Sequence, residues 1–268
     1  MQILFFISLF ALGACLGSFL CCQARRLHLK AARKGRELGS RSVCLSCGYQ
    51  LKWYDNIPIF SWFFLRGKCR KCRKKIGFAE ILSELGLGLA FLALGTTINL
   101  ATAGILEWAT LLTTLIFTMI LAFLAIYDGL YGELPVICLT IAIICAIIIL
   151  CLKEWLALSI SSFSAENIFA PLASVAVLGG IYLLLYLFSK GKWVGDGDWL
   201  LGTALGLALV SPWLSLITLF FANALACFVM APIVCKNKRK KIYFGPFMVV
   251  AFVITLTFAD FFYYVIGG

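Results

Sequence analysis

Lys190-Gly-Lys-Trp-Val-Gly-Asp-Gly-Asp-Trp-Leu-Leu201 sets two aspartates, Asp196 and Asp198, between two strongly apolar runs. A carboxylate at the edge of a lipid-facing segment costs about 2.5–3.5 kcal/mol to insert, so it marks a functional site by default. Gly195 and Gly197, having no Cβ, let the backbone bend or lie close to a second chain. Asp128 has a similar setting: it ends the apolar run 111–127 and is followed by Gly129 and then Leu134-Pro135. Two carboxyl groups brought together out of water resist double ionisation and share a proton. One is then a base for water and the other an acid for the leaving group. That is the chemistry of an aspartyl protease, and Asp128 with Asp198 is the expected pair.

Composition sets the class around this stretch. Of 268 residues, 63% are hydrophobic and only 13% are charged, and the mean hydropathy is +1.02. A soluble domain would carry about 25% charged residues. The pattern is that of an all-α, polytopic membrane protein. The net charge of +11 fits the excess of Lys and Arg in cytoplasmic loops better than a nucleic-acid partner. The lipid bilayer is the expected surrounding.

The first apolar run, 2–24, has no charge before Arg25. A cleaved signal peptide has a positive n-region and a small-residue cleavage site. Here the positive charge follows the run, so it reads as a retained helix with its N-terminus outside. Gly17-Ser18 is a small pair where another helix could pack closely. Seven further apolar runs lie near 79–98, 104–127, 135–152, 167–189, 199–211, 213–234 and 246–265. Eight crossings with both termini outside place 22 of the 23 Lys and Arg on the inner side, leaving only Lys153 outside. Asp128, Asp198 and the basic loop then share the cytoplasmic face. The run 199–211 is short, which could draw Asp198 below the membrane surface. The chain thus divides into a first helix (1–24), a basic loop (25–78) and a helix bundle (79–268).

The basic loop holds Cys44, Cys47, Cys69 and Cys72 as two Cys-x2-Cys pairs separated by 21 residues. Four thiolates complete a tetrahedral zinc site of the closed, structural kind. Two disulfides are the competing arrangement, disfavoured in a loop that faces the reducing cytoplasm. So short and polar a segment has little core, and an ion would supply most of its folding energy. The single histidine, His28, lies in a basic juxtamembrane stretch, which leaves no Ser-His-Asp or Cys-His arrangement without it. Trp53, Trp62 and Trp193 are expected at the membrane interface, and the run Lys236–Lys241 near anionic headgroups. No internal repeat is apparent.

Several motifs together resemble the bacterial type 4 prepilin leader peptidases, membrane aspartyl proteases of the Gly-x-Gly-Asp type. They are Gly17-Ser18-Phe19-Leu20 with Arg26, Tyr54-Asp55-Asn56-Ile57-Pro58-Ile59-Phe60-Ser61-Trp62, and Leu65-Arg66-Gly67-Lys68-Cys69. Glu84, Asp128 with Leu134-Pro135, Gly195-Asp196-Gly197-Asp198 and Phe244-Gly245-Pro246-Phe247 complete the match. The resemblance implies Asp128 and Asp198 as the catalytic pair, with Asp196 the variable residue between the glycines. Gly195, Gly197, Pro135, Gly245 and Pro246 are the supporting motif positions. It also implies a prepilin or pseudopilin-like substrate with a short basic leader and residence in the bacterial inner membrane. A second activity, methylation of the new N-terminus from S-adenosylmethionine, rests on the resemblance alone; Glu84 marks the region it points to. The sequence departs from the family at Cys21, usually Asn, and at Leu200, usually Lys. Residues 77–81 also lack the Arg-Tyr-Pro run that precedes Glu84 in the family. A reading of another class, a zinc-knuckle membrane scaffold or transporter with the aspartates as a proton relay, shares the knuckle and topology but not the loop motifs.

Overall fold

A computed structural model of the chain describes residues 2–31, 42–44, 46–160, 166–191, 194–236 and 243–266. Trp193 and positions 237–241 of the basic run lie outside them. Among the described residues there is no β-strand beyond two isolated bridges. The helices are α1 (Gln2–Ala31), α2 (Phe60–Phe64), α3 (Phe78–Gly95), α4 (Ile105–Tyr131), α5 (Val136–Ile160), α6 (Glu166–Val175), α7 (Ile181–Ser189), α8 (Asp198–Leu209), α9 (Pro212–Lys236), α10 (Gly245–Thr257) and α11 (Ala259–Ile266). A π-helical turn, Ala176–Gly180, joins α6 to α7.

All eight apolar runs are helical, so the all-α membrane architecture is as expected, but the count of crossings is not. Among the described residues, six stretches are long and apolar enough to cross a membrane, or seven if α10 and α11, bent by 71°, form one span. The eighth, α8, has only 12 residues. At 1.5 Å per residue it rises about 18 Å, against a hydrocarbon layer of about 30 Å. The protein is a multi-pass membrane protein in which one apolar helix is too short to reach both surfaces.

The chain parts into two compact units, 1–92 and 93–268. In the first, α1 meets α3 backbone to backbone. A Cβ on Gly13 would come within 2.6 Å of Leu87 O, and one on Gly17 would collide with the Ser83 carbonyl. Helices in lipid gain little from apolar burial, so close backbone approach through small residues supplies the packing. Between them, the two Cys-x2-Cys segments form matching turns. Val43 bridges Gln50 and Lys68 bridges Lys75. The Leu51 N–H donates to Ser42 O (2.9 Å), and the Ile76 N–H to Gly67 O (2.7 Å). Every position in the second turn lies 25 residues after its counterpart, Cys69 after Cys44 and Cys72 after Cys47. The knuckle is therefore an internal repeat of backbone, hidden in the sequence because little beyond the cysteines is shared.

In the second unit α8 is the central rod, flanked by α5, α6 and the π turn. Leu201, Ala204, Leu205 and Ala208 on it are all buried, as befits a helix that is apolar all round. Gly202 and Gly206, one turn apart, let it touch the neighbouring backbone: a Cβ on either would meet Leu178 O (2.7 Å) or Ser174 O (2.8 Å). Its C-terminal carbonyls stay within protein. Lys153 Nζ donates to Ala208 O (2.8 Å) and Ser174 Oγ to Gly206 O (2.7 Å). Protein groups here do what water does at an exposed helix end. The sequence reading ends the preceding apolar run before Asp128, but α4 continues to Tyr131. Gly132, in the left-handed region (φ 71), stops it, its N–H bonded to Asp128 O at 2.7 Å. Asp128 therefore sits inside the last turn of a rigid helix.

Candidate active site

The second unit brings the expected aspartates together. Asp128 closes α4, Asp198 opens α8, and both are buried. Their carboxyl groups lie close enough for the charge of Asp198 to act on Asp128. Each is held by one backbone amide. The Gly245 N–H donates to Asp128 Oδ2 at 3.0 Å, and the Gly195 N–H to Asp198 Oδ2 at 2.8 Å. Oδ1 of each makes no hydrogen bond to protein among the described residues. One oxygen fixed and one left for water or substrate is the arrangement a shared-proton pair needs.

The motif glycines have steric roles. A Cβ on Gly245 would stand 2.8 Å from Asp128 Oδ2, and one on Gly197 would stand 2.7 Å from the Leu134 Cβ. Without side chains at these positions, the Leu134-Pro135 turn and the Gly195–Asp198 loop close on each other. The carbonyl of Pro135 accepts the Leu139 N–H (3.1 Å) and so starts α5. The ring of Pro246 lies against Gly129. Asp196 is exposed, outside the buried pair. Sequence reading missed a brace behind the site. Buried Tyr182 packs its ring on Phe244 (centroids 5.4 Å apart), and Asn223 Nδ2 donates to its hydroxyl at 3.4 Å. Phe244 precedes Gly245, so α7 and α9 together steady the amide that holds Asp128. Asn223, the one carboxamide side chain on α9, was the available signal.

The first unit holds the other predicted residues. The sulfurs of Cys44, Cys47, Cys69 and Cys72 all lie within 4.8 Å of one another. Cys44 to Cys72 is 3.9 Å and Cys47 to Cys69 is 4.0 Å. Disulfides at about 2.05 Å are excluded for these pairs, whereas a tetrahedron with 2.3 Å metal–sulfur bonds has edges of about 3.8 Å. The donor set fits a tetrahedral, thiolate-bound metal ion. Although burial opposes ionisation of Cys44, the Cys47 and Ser46 amides and the adjacent thiols bring it down to about 7. The Tyr49 amide favours the Cys47 thiolate, yet burial and the three neighbouring sulfurs push it up to about 11. Successive negative charges crowd here, and a cation relieves that.

Beside the knuckle lies a cavity of about 320 Å³, whose lining includes Cys21, Arg25, Trp62, Arg70, Glu80 and Glu84. Arg25 pairs with Glu80 through Oε1, while Glu80 Oε2 and Trp62 Nε1 are buried with no hydrogen-bond partner among the described residues. Trp62, one of the tryptophans expected at the interface, lines this cavity. Glu84 is buried and accepts the Ile59 N–H at 2.7 Å. Ile59 has φ 65 and ψ −56, an outlier for a β-branched residue. It centres a γ-turn closed by the Phe60 N–H on Pro58 O at 2.6 Å. Strain of about 1–3 kcal/mol persists only where surroundings enforce it, and Glu84 is part of that enforcement. Asp55, not singled out beyond its motif, is the buried anchor of the insert. It accepts from Arg70 Nε (2.8 Å) and the Lys52 N–H (3.2 Å).

Comparison with known proteins follows the same division. The family model Bacterial Peptidase A24 N-terminal domain matches residues 11–98. A prepilin leader peptidase/N-methyltransferase of Burkholderia pseudomallei is 32% identical over 235 residues, covering 85% of this chain and 70% of that protein. The chain belongs to the prepilin leader peptidase/N-methyltransferase family. A family member from Neisseria gonorrhoeae is 32% identical over 236 residues, 82% of this chain and 71% of its own length. One from Myxococcus xanthus is 43% identical over 90 residues, 34% of this chain but only 26% of that protein. The match to a Vibrio cholerae member likewise spans 29% of its length. No solved structure matches the chain.

Proposed function

We propose that the chain is an aspartyl endopeptidase of the bacterial inner membrane. It removes the short basic leader of prepilin or pseudopilin-like proteins, with Asp128 and Asp198 as the catalytic pair. The observation that carries this reading is the buried pair itself, two carboxyl groups from separate helices, each fixed by one amide with one oxygen left over. One carboxylate takes a proton from water as the oxygen attacks the scissile carbonyl carbon. Its protonated partner gives its proton to the carbonyl oxygen, forming a tetrahedral diol. Collapse of the diol breaks the C–N bond, and the leaving amine takes up a proton from the pair. The shortness of α8 supports a site below the membrane surface, where surrounding helices rather than lipid satisfy the unwound substrate backbone. The 15 Lys and Arg of residues 25–78 and the two of 190–198, against Lys153 alone near the end of α5, support a cytoplasmic opening with the N-terminus outside.

The second activity in this reading is methylation of the new N-terminus. The unpartnered Glu80 carboxylate oxygen and Trp62 indole N–H support the 320 Å³ cavity as the site that holds S-adenosylmethionine. Bound there, the cofactor supplies an electrophilic methyl group on a sulfonium. Glu80 offers an acceptor and negative charge, Trp62 a donor, and Glu84 holds the wall through Ile59. Cys44, Cys47, Cys69 and Cys72 would hold a zinc ion whose role is to fold the insert. Incubation of the reconstituted protein with a prepilin-like substrate tests the reading. Asp128→Asn and Asp198→Asn should each abolish cleavage with membrane insertion intact, and Asp196→Asn should be tolerated. Cleavage retained in either of the first two variants overturns the assignment.

A further inference from the structure

One face of the insert is left uncovered among the described residues. Phe60, Phe63 and Phe64 of α2 are 63%, 61% and 84% exposed, although they are among the most apolar side chains available. Their spacing of three and four places them together on one side of the helical turn. The residues between them, Ser61 and Trp62, line the cavity instead. One surface of α2 is therefore a cavity wall while the other is an aromatic plate left exposed among the described residues.

Neighbouring rings fix where that plate lies. Trp62 contacts Phe78, with ring centroids 5.8 Å apart. Phe78 is the first residue of the membrane span Phe78–Gly95 and is itself 77% exposed. The same Trp62 ring meets Phe63 of the plate at 5.7 Å, so the plate adjoins the start of α3, where that apolar span begins. Around it the insert is cationic. Lys52, Arg66, Lys68, Lys71, Arg73, Lys74 and Lys75 are exposed, whereas Asp55, the sole acidic residue of the segment 42–77, is buried against Arg70. Exposed aromatic rings in a segment rich in exposed Lys and Arg are the composition of an interfacial element that meets anionic headgroups.

We propose that the Phe60, Phe63 and Phe64 face of α2 is embedded at the headgroup–acyl boundary of an anionic bilayer, with the surrounding lysines and arginines on the lipid phosphates. The membrane surface then holds one wall of the cavity from outside while Glu84 holds the adjoining turn from within. The insert lies on the membrane rather than standing free of it.

The test uses the full-length protein, reconstituted in vesicles of phosphatidylglycerol and phosphatidylethanolamine. It carries the photoreactive p-benzoylphenylalanine in place of Phe63, of Phe64 or, as a control, of Lys71. After irradiation, mass spectrometry should find lipid adducts at positions 63 and 64 at least about fivefold more abundant than at 71. Vesicles of neutral phosphatidylcholine should lower the yield by about twofold or more. Metal content reports whether each variant keeps its insert folded, and Phe60 provides a further position if one does not. Adducts to a second copy of the chain, adducts to substrate protein, or yields at 63 and 64 equal to that at 71 overturn the proposal. A yield that ignores lipid charge overturns the contribution of the basic ring.

Discussion

The two units solve the problem of holding reactive groups in opposite ways. The unit with the aspartates is a bundle of apolar helices whose centre, α8, packs through small residues and has its C-terminal carbonyls satisfied by Lys153 and Ser174. Its chemistry sits on helix ends, so each carboxylate inherits the rigidity of a long packed element. The insert in the other unit has almost no apolar interior. Four thiols, the Asp55–Arg70 pair and a strained turn held by Glu84 fix it. The first arrangement tolerates loss of a polar group better than loss of packing. The second is the reverse: remove one polar partner and little else remains to order the loop.

The largest effect should therefore come from a change that spares the fold entirely. Asn at Asp128 or Asp198 keeps size and burial but cannot share a proton. Cleavage should fall by at least about 10³-fold, within the range seen for losing positioned acid–base groups. Membrane insertion and metal content should stay unchanged, and methylation of a substrate supplied already cleaved should persist. Loss of both activities together would show that the units are not separable in the way their construction suggests.

Next in size is removal of the metal ligands. A Cys44→Ser/Cys47→Ser variant should lose about one zinc per chain, and with it most of the insert's order. Methylation should then fall much further than cleavage, read by the mass of the mature product. Equal loss of the two would mean that the insert supports the whole protein. A protein that never yields methylated product, even intact and with donor present, would be a peptidase alone.

The same contrast explains what could be read in advance. Apolar runs, charge asymmetry, the aspartates and the Cys-x2-Cys pairs are local signals, visible residue by residue. Asp55 and Glu84 are not, because nothing near them in sequence says that Arg70 or the Ile59 amide will meet them. The π turn and the 71° bend between α10 and α11 depend on which backbones touch. The run 199–211 is visibly short, and counting it as a span gives eight crossings where length supports six or seven among the described residues. The repeat of the knuckle is written in hydrogen bonds, not in side chains.

A smaller effect probes the site from its edge. Gly245→Ala would put a methyl group 2.8 Å from Asp128 Oδ2, closer than unbonded atoms settle, so carboxylate and loop must both shift. Misplacement on this scale costs catalysis about 10²-fold, which a rate measurement on otherwise intact protein would show. A Glu84→Gln variant should leave cleavage near normal and weaken methylation, because an amide oxygen accepts the Ile59 N–H less strongly than a carboxylate does.

The smallest effect compares the two halves of the knuckle with each other. Gly48 and Arg73 occupy matching positions, with φ of 71 and 58. Glycine adopts that conformation freely, whereas a residue with a Cβ gives up about 1–2 kcal/mol there. Against this, glycine loses about 0.5–1 kcal/mol more chain entropy on folding. The balance favours glycine, so Arg73→Gly should stabilise the insert by up to about 1 kcal/mol. Nothing lies within 4 Å of a Cβ built on Gly48, so Gly48→Ala isolates the backbone cost and should destabilise by a similar amount. The chelator concentration that strips half the metal reads both, rising for the first variant and falling for the second. If the two move in the same direction, the turns do not share a conformational rule and the repeat is one of hydrogen bonds alone.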